Sequence, residues 1–454
     1  LPFNYLSLGK FAGSFGFVIL APLRPGIKRI NPNGPVVEQS FFEIAYPVSV
    51  RPSLSPPGST ETVPNDQEQP GNDRKKDEIV VVGGSAAGLY TAAALARGGR
   101  HVRVLESKDG FEPDPRTLIV TNHFRDQLGA PARASILNEI RRFELFTDGR
   151  SAQIALSKPD LIIERAKLIP ALAREAQEAG AQVSFQSRFL SLSPNSRGLH
   201  LEVESAGRRE ELHATNVIGA DGASSRVART AGWPPIETVP LVQAIVRLPK
   251  DCPPDTTRVW FVPDDTPYFY WLIPESSERA ALGIIGEGRD TAKLLARFLE
   301  KKHMEPLEWQ GAQIPVYRRW VPVKRRVGNG EVYLVGDAAA QVKVTTVGGI
   351  VTGFRGALGV AQSILRNGRS RELKTLRLEL DTHWLIRRTM HHFQQKDYSH
   401  LVDLLNLSTR DTLSEITRDE SARLLWNVLR RQPRLALLGL RGLLLGKNAA
   451  PRGG

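Results

Sequence analysis

The stretch Val332-Tyr333-Leu334-Val335-Gly336-Asp337-Ala338-Ala339 decides the fold: an apolar run of strand type ends on a glycine, and an acid stands immediately beyond it. Shortly after, Thr346-Val347-Gly348-Gly349-Ile350 opens what reads as a helix running toward Leu365. Far upstream, the apolar run 79–82 enters Gly83-Gly84-Ser85-Ala86-Ala87-Gly88 in the same manner. A strand that turns through glycine into a helix offers free backbone N–H groups and a favourable dipole to phosphate. A carboxylate at the second turn can accept hydrogen bonds from polyol hydroxyls. The ordered pair suits one long ligand, with a diphosphate at one end and a ribityl-linked ring at the other. That ligand is FAD.

Gly83, Ser85 and Gly88 occupy the three glycine positions of a dinucleotide fingerprint, with Ala86 and Ala87 between them at the start of the helix. The first position permits the tight turn, the second lets backbone approach pyrophosphate, and the third lets helix pack on strand. Ser85 replaces a glycine, and its hydroxyl is within reach of a phosphate by position. Glu106 closes the next strand, where an acid accepts bonds from ribose hydroxyls and repels a 2′-phosphate, which argues against NADP here. Asp337 is expected to hold ribityl; its alternative is a helix N-cap. Gly348, Gly349 and Ile350 bring bare backbone and a helix N-terminus to the pyrimidine edge of the ring. Asp221-Gly222, after the strand ending at Ile218, fixes a loop near the diphosphate or is a plain Asp-Gly turn. Arg116 and Arg165 are candidates for diphosphate or ribityl contact, or else ordinary ion-pair residues.

The 41% hydrophobic and 24% charged residues are an ordinary globular balance over a 454-residue chain, enough for several structural units. A single cysteine, Cys252, excludes an intrachain disulfide framework and a cysteine-rich metal site, and no metal is expected. The net charge of +13 points to an anionic partner. No nucleic-acid module is visible, so nucleic acid is not expected. From Arg423 to the C-terminus there are seven Lys or Arg and no Asp or Glu. No run reaches the roughly 18 apolar residues of a spanning helix. Residues 11–23 are apolar but lack the flanks of a signal peptide. A cytoplasmic location follows as the expectation, peripheral to a membrane through 424–447, where leucines alternate with Arg434, Arg441 and Lys447. Packing of that stretch on the protein's own core is the alternative.

The expected architecture is α/β: a Rossmann-like FAD-binding domain with an inserted antiparallel-sheet substrate domain and a helical C-terminal region. Residues 1–76, rich in Pro and polar residues and without periodicity, read as a disordered extension. Residues 77–232 form the first part of the FAD domain, with a βαβ unit at 79–105 and an amphipathic helix at 166–179. Strands are expected at 200–203 and 211–218. Residues 233–315 carry aromatic-rich strands at 241–248, 258–262, 268–273 and 280–285, as an antiparallel sheet with one face solvated or lining a cavity. The FAD domain resumes at 316–370, and 371–454 is helical.

Taken together, these segments resemble the FAD-dependent oxidoreductases of the para-hydroxybenzoate hydroxylase type, and within them the geranylgeranyl reductase branch. Phe269-Tyr270-Trp271-Leu272-Ile273-Pro274 is similar to that branch's Tyr-x-Trp-x-Phe-Pro, and Gln341-Val342-Lys343 with Thr345-Thr346 and Gly348-Gly349 to its flavin loop. Val344, Val347 and Ala340 depart from it, standing where proline, glycine and glycine are usual. The resemblance implies ADP binding by Gly83, Ser85, Gly88 and Glu106, and a role for Asp221 and Gly222 toward FAD and the nicotinamide nucleotide. It implies ribityl binding by Gly336 and Asp337, and ring contacts from Gly348, Gly349 and Ile350. It further implies reduction of isoprenoid double bonds with NAD(P)H as co-substrate, Phe269 and Trp271 lining a tunnel for a hydrophobic or lipid substrate. As plain core aromatics, those two residues would line nothing. An aromatic-ring monooxygenase on the same scaffold is the competing enzyme reading. A halogenase lacks its Trp-x-Trp-x-Ile-Pro signature here, and a flavin-binding assembly protein is the non-catalytic reading. Sequence assigns no proton donor and no oligomeric state.

Overall fold

In the computed structural model, the described residues are 78–448 apart from 112–114, 289, 367, 369, 406–412, 414 and 416–418. The expected disordered extension, 1–76, lies outside them. Strands and helices are numbered along the chain.

The nucleotide sheet is made by β1 (Glu78–Val82), β2 (His101–Leu105), β6 (Gln182–Ser184), β10 (Asn216–Gly219), β16 (Lys324–Val327) and β17 (Gly330–Leu334). Its order is β16-β17-β10-β1-β2-β6, parallel except for the β16 edge. Burial on both faces explains why β1 and β17 are unbroken apolar runs rather than alternating ones. Between β1 and β2 lies α1 (Ala86–Arg97), whose Ala87, Gly88, Ala92 and Ala93 are buried. Small side chains there let α4 (Arg165–Glu178) and α7 (Ile350–Leu365) approach α1 closely. Strand order departs in opposite directions from β1, to β2 on one side and β10 on the other. The crevice beyond the carboxyl ends of β1 and β10 is therefore the topological switch point where such sheets bind ligands.

The second sheet has the order β15-β11-β14-β13-β12-β4-β5-β3. From the expected insertion come β11 (Thr238–Arg247), β12 (Thr256–Trp260), β13 (Tyr270–Pro274), β14 (Arg279–Ile285) and β15 (Glu308–Pro315). The other three strands are β3 (Thr117–Val120), β4 (Ile136–Thr147) and β5 (Arg150–Glu164), which fall inside the span 77–232 assigned to the FAD domain. The boundary at 233 is thereby corrected: the sheet is assembled from two separate stretches, joined by a parallel β4–β12 pairing. The local signal was an Asp148-Gly149 turn, both residues at positive φ, linking β4 to β5 as a hairpin.

A small third sheet holds β7 (Ser187–Asn195), β8 (Gly198–Ser205) and β9 (Arg208–Ala214). The single strand expected over 211–218 is in fact two. Residues up to Ala214 pair with β8, and from Asn216 the chain pairs with β1. Three short helices, α2 (His123–Leu128), α3 (Ala130–Ser135) and α5 (Arg226–Thr230), fill connections, and α6 (Thr291–Lys301) covers one face of the second sheet. On β13, Tyr270 and Leu272 pack toward Leu295 and Phe298 of α6, while Trp271 and Ile273 turn to the opposite face with Phe269. The C-terminal helices are α8 (Arg371–Met390), α9 (Gln395–Asp403), α10 (Ser421–Arg431) and α11 (Arg434–Asn448). Among the described residues no helix is long and apolar enough to cross a membrane.

Candidate cofactor and substrate site

Gly83 turns out of β1 with φ +106, and a Cβ there would stand 2.6 Å from Ala220 O. A Cβ on Gly88 would stand 2.3 Å from Gly83 O, so the third glycine position is where α1 meets the strand it follows. Ser85 is the N-cap of α1, its Oγ accepting from Gly88 N at 3.2 Å. One lone pair is thus committed to the helix, and the hydroxyl proton remains for an acceptor in the crevice. Glu106 is clamped at the end of β2: Oε2 accepts from Gly84 N at 2.8 Å and Oε1 from Lys108 N at 2.9 Å. These groups line a groove of about 510 Å³ together with Arg165, Asp221 and Gly222.

Asp221 works on the loop itself. Its Oδ1 accepts from Ser225 Oγ at 2.6 Å, and its Oδ2 from the N–H groups of Arg226 at 2.6 Å and Val227 at 3.1 Å. The carboxylate is consumed at the N-terminus of α5, so its influence on the groove passes through backbone, with Gly222 at φ +81 completing the turn.

The two distant glycine turns meet. A Cβ on Gly336, at φ +62, would lie 2.9 Å from the Ala87 methyl group. Asp337 lies inside a short 3-10 turn, Gly336–Ala339, whose N-cap is Val335, and the next helix is capped at Gly349, so Asp337 caps neither. A Cβ on Gly349 would stand 3.3 Å from Asp337 Oδ1, which places the flavin-loop glycines beside the acid. Asp337 is half-buried. Burial nevertheless pushes its carboxyl above the usual range, against the opposing pull of Arg116 and Arg165. Those two arginines are tied by a backbone bond, Arg165 N to Arg116 O at 3.1 Å, which brings both to the acid.

The flavin loop is braced from beneath by a residue the sequence reading left without a role. Gln341 is fully buried, and its Oε1 accepts from Gly336 N at 2.7 Å. Lys343 N donates to Gly348 O at 3.2 Å and Val347 N to Lys343 O at 2.7 Å, closing a tight loop. Helix α7 then begins at Ile350 with no side-chain cap, leaving its first N–H groups available. Gly336 meets Ala87 at the start of α1 and Gly349 stands beside Asp337, so the residues present fit a long ligand such as FAD laid from the groove toward the loop.

Beyond that loop opens an apolar cavity of about 320 Å³. Phe269 and Trp271 form its far wall, and Gly348, Gly349 and Ile350 its near one. The structure thus joins residues of the second sheet to the end of the nucleotide cradle.

Helix α8 contributes what sequence reasoning missed. Glu379, His383 and Arg387 recur every four residues and are all buried, a charged stripe on the inward face of the helix. Charged residues four apart read equally well as a solvated stripe, so the spacing by itself did not mark them as inward. His383 Nδ1 lies 2.5 Å from Thr345 Oγ1, and its Nε2 3.3 Å from Glu379 Oε1. Burial, chiefly, holds its imidazole below the usual range, with Glu379 opposing and Lys343 assisting. Lys343 is itself buried and paired with Asp419, which also bonds the Thr121 hydroxyl. Cys252 stands apart, buried, its thiol pushed up to about 11 mainly by desolvation, and so unreactive.

A family profile described as FAD binding domain matches residues 76–375, and the chain belongs to this family of FAD-dependent oxidoreductases. Its place is in the geranylgeranyl reductase-like branch. The chain is 31% identical over 296 residues to digeranylgeranylglycerophospholipid reductase 2 of Methanopyrus kandleri, spanning 61% of this chain and 73% of that protein. In structure it is similar to a geranylgeranyl bacteriochlorophyll reductase-like protein of Thermoplasma acidophilum, with TM-score 0.66 and 20% identity, over 80% of this chain and 99% of that one. A flavin-dependent halogenase matches with TM-score 0.59 and 16% identity, over 80% and 78%. At such identities the structures share the fold, and the fold does not select the reaction.

Proposed function

We propose that this protein saturates carbon–carbon double bonds of an isoprenoid chain, using electrons that originate from NAD(P)H. The observation that carries the reading is the apolar cavity, which begins at Gly348-Gly349 and continues along Phe269 and Trp271. A hydrocarbon chain needs such a wall; a small polar aromatic does not. The name of the Methanopyrus kandleri relative, a reductase of an isoprenoid phospholipid, points the same way.

Bound FAD would supply the electron pair for the reduction. The chain's own share is to hold the alkene against the loop and to keep water away, which is where positional catalysis gains most. Side chains from α8 and α10 reach the cavity through Met390 and Leu424. On α10 and α11, Trp426 is 69% exposed, Leu437 69% and Leu440 54%. Arg423, Arg430 and Arg434 are exposed beside them. We assign this basic, apolar face within 424–447 to peripheral contact with an anionic lipid surface. Leu438 of the same α11 is buried against Phe393 and Tyr398, so the helix packs inward and presents leucines outward at once.

The test is anaerobic incubation of the flavin-loaded protein with NADPH and a geranylgeranyl lipid, followed by mass spectrometry. Gain of hydrogen across the double bonds is expected. Oxygen-dependent hydroxylation of an aromatic compound without alkene reduction would replace this reading with the monooxygenase. Bound flavin that NAD(P)H never reduces would point to a non-catalytic flavoprotein.

A further inference from the structure

The three sheets end in six edge strands, and five of them are protected against pairing with another chain. β16 and β9 are charged, through Lys324-Arg325-Arg326 and Arg208-Arg209-Glu210-Glu211. β7 has a bulge and Pro194, and β3 and β6 are only four and three residues long. Charge, bulges, proline and shortness are the usual devices that keep an edge unpaired. β15 has none of them. It runs for eight residues, Glu308–Pro315, with one charge at its first position and no proline before its last.

Its pairing with β11 shows which backbone groups the free side offers. Gln313 stands opposite Pro240, which has no N–H and whose O accepts from Gly286 N at 3.1 Å, on the β14 side. Val316 N donates to Glu237 O at 2.9 Å, in keeping with the same alternation. The N–H and C=O groups of Trp309, Gly311 and Gln313 therefore point away from β11. Among the described residues none of these groups has a backbone partner. Beside them Leu307 is 52% exposed and Trp309 47%.

Gly311 adds a second observation. A Cβ there would meet only Leu241 O, at an ordinary 3.7 Å, and its φ is not in the left-handed region. Packing within one copy thus gives no reason for glycine, which weakens a strand interior; close approach of another backbone does. Charge supplies a third. Glu305 and Arg319 are both exposed, and among the described residues neither has an ion pair. Each lies seven residues from Ala312, one on either side.

We propose that the free edge of β15 is an interface with a second copy of this chain, the two strands pairing antiparallel about a two-fold axis at Ala312. In that register Gly311 and Gln313 of each copy exchange backbone bonds with Gln313 and Gly311 of the other, and Trp309 N donates to Pro315 O. Each Glu305 is carried toward the Arg319 of the other copy. A two-fold contact must be self-complementary in this way, whereas an unrelated partner needs no such symmetry. The two eight-stranded sheets then join into one, and the apolar Leu307 and Trp309 are covered.

The experiment is sedimentation velocity of the flavin-loaded full chain from roughly 1 to 100 μM, the range in which weak and moderate self-association is resolved. A species of twice the chain mass is expected. Trp309→Lys, which puts a charge on an exposed edge position, should give a monomer that keeps its flavin. Glu305→Arg or Arg319→Glu alone should weaken the dimer about tenfold, since two like-charged contacts form per dimer, and the double reversal should restore it. Hydrogen exchange on the wild type reads the same contact without any variant: the amides of Trp309, Gly311 and Gln313 should be slower at high concentration than at low. A monomer throughout the range overturns the proposal. So does a dimer that survives Trp309→Lys with those amides still fast, because its contact then lies on another face. Edge amides that are slow at every concentration in a monomer also overturn it, and assign the edge to another segment of the same chain.

Discussion

In the nucleotide half, position is enforced by backbone: Gly83, Gly88 and Gly336 sit where a Cβ would strike a carbonyl oxygen or a methyl group at 2.3 to 2.9 Å. In the cavity half, position is enforced by side chains: a buried Lys343–Asp419 pair, the Thr345–His383 contact, and aromatics alternating along β13. The first kind of site tolerates almost no substitution but needs little polar chemistry of its own. The second can be re-lined residue by residue, which is how one fold serves reductases and halogenases alike. The cradle is thus the common part and the cavity the specific one.

The largest effect is expected where the cavity half depends on charge. Asp419→Ala leaves Lys343 buried without its anion and should cost about 3–5 kcal/mol in urea unfolding. Replacing both, Lys343→Met with Asp419→Leu, should recover most of that loss. If the single variant unfolds like the wild type, the cavity wall is not tethered by this pair. Next comes Gly88→Val, which puts a branched side chain where even a Cβ would lie 2.3 Å from Gly83 O. It should cost about 3 kcal/mol and abolish flavin retention, read from the flavin-to-protein absorbance ratio. A yellow Gly88→Val protein would break the claim that backbone dictates the cradle.

Asp337→Asn probes the seam between the halves, and its two readouts should move in opposite directions. Flavin affinity should fall about tenfold, since a carboxylate accepts stronger hydrogen bonds than an amide. The flavin-free protein should instead melt higher at neutral pH. Its folded carboxyl is raised above the ordinary 3.8, so its favourable contribution is complete below that value and is lost as pH rises through the folded pKa. The advantage of the Asn variant should therefore shrink as pH falls toward 3.8 and vanish below it. A variant that retains flavin as the wild type does would remove Asp337 from the ribityl site.

The contrast also explains what the sequence could disclose. Steric rules act over a few residues, so the turns at 83–88 and 336–349 were legible as glycine spacing, and β1, α1 and β2 followed from their apolar periods. Glu106 was singled out by its position at the end of β2, whereas Arg116 and Arg165 were candidates on charge alone. The cavity was only half legible. Phe269 and Trp271 shared one face by the period of two, but Arg387 and His383 came from a helix whose inward face no local rule identified. A buried charge looks like a solvated one until the neighbouring elements are known. The β4–β5 hairpin was missed for a related reason: its strands are only partly buried, so hydrophobic alternation is weak and the Asp148-Gly149 turn stood alone.

The smallest predicted effect tests the seam most sharply. Val347, where the branch usually has glycine, adopts φ +53, and Ala340, another such departure, adopts φ +51. For an L-residue the left-handed region costs about 1–2 kcal/mol, and a β-branched side chain bears it worst. Val347 is held there because its N–H donates to Lys343 O at 2.7 Å and its side chain packs with the Trp271 cluster. Elsewhere in a fold, Gly is less stable than Ala by about 0.5–1 kcal/mol. At this position the order should invert. Val347→Ala loses packing and keeps the strain, whereas Val347→Gly loses the same packing and relieves it. The Gly variant should therefore be the more stable of the two by about 1 kcal/mol in chemical denaturation. If Ala proves the more stable, the loop is not strained at Val347. The branched side chain would then matter for the shape of the cavity alone, and the cavity half, not the cradle, would govern the loop that joins them.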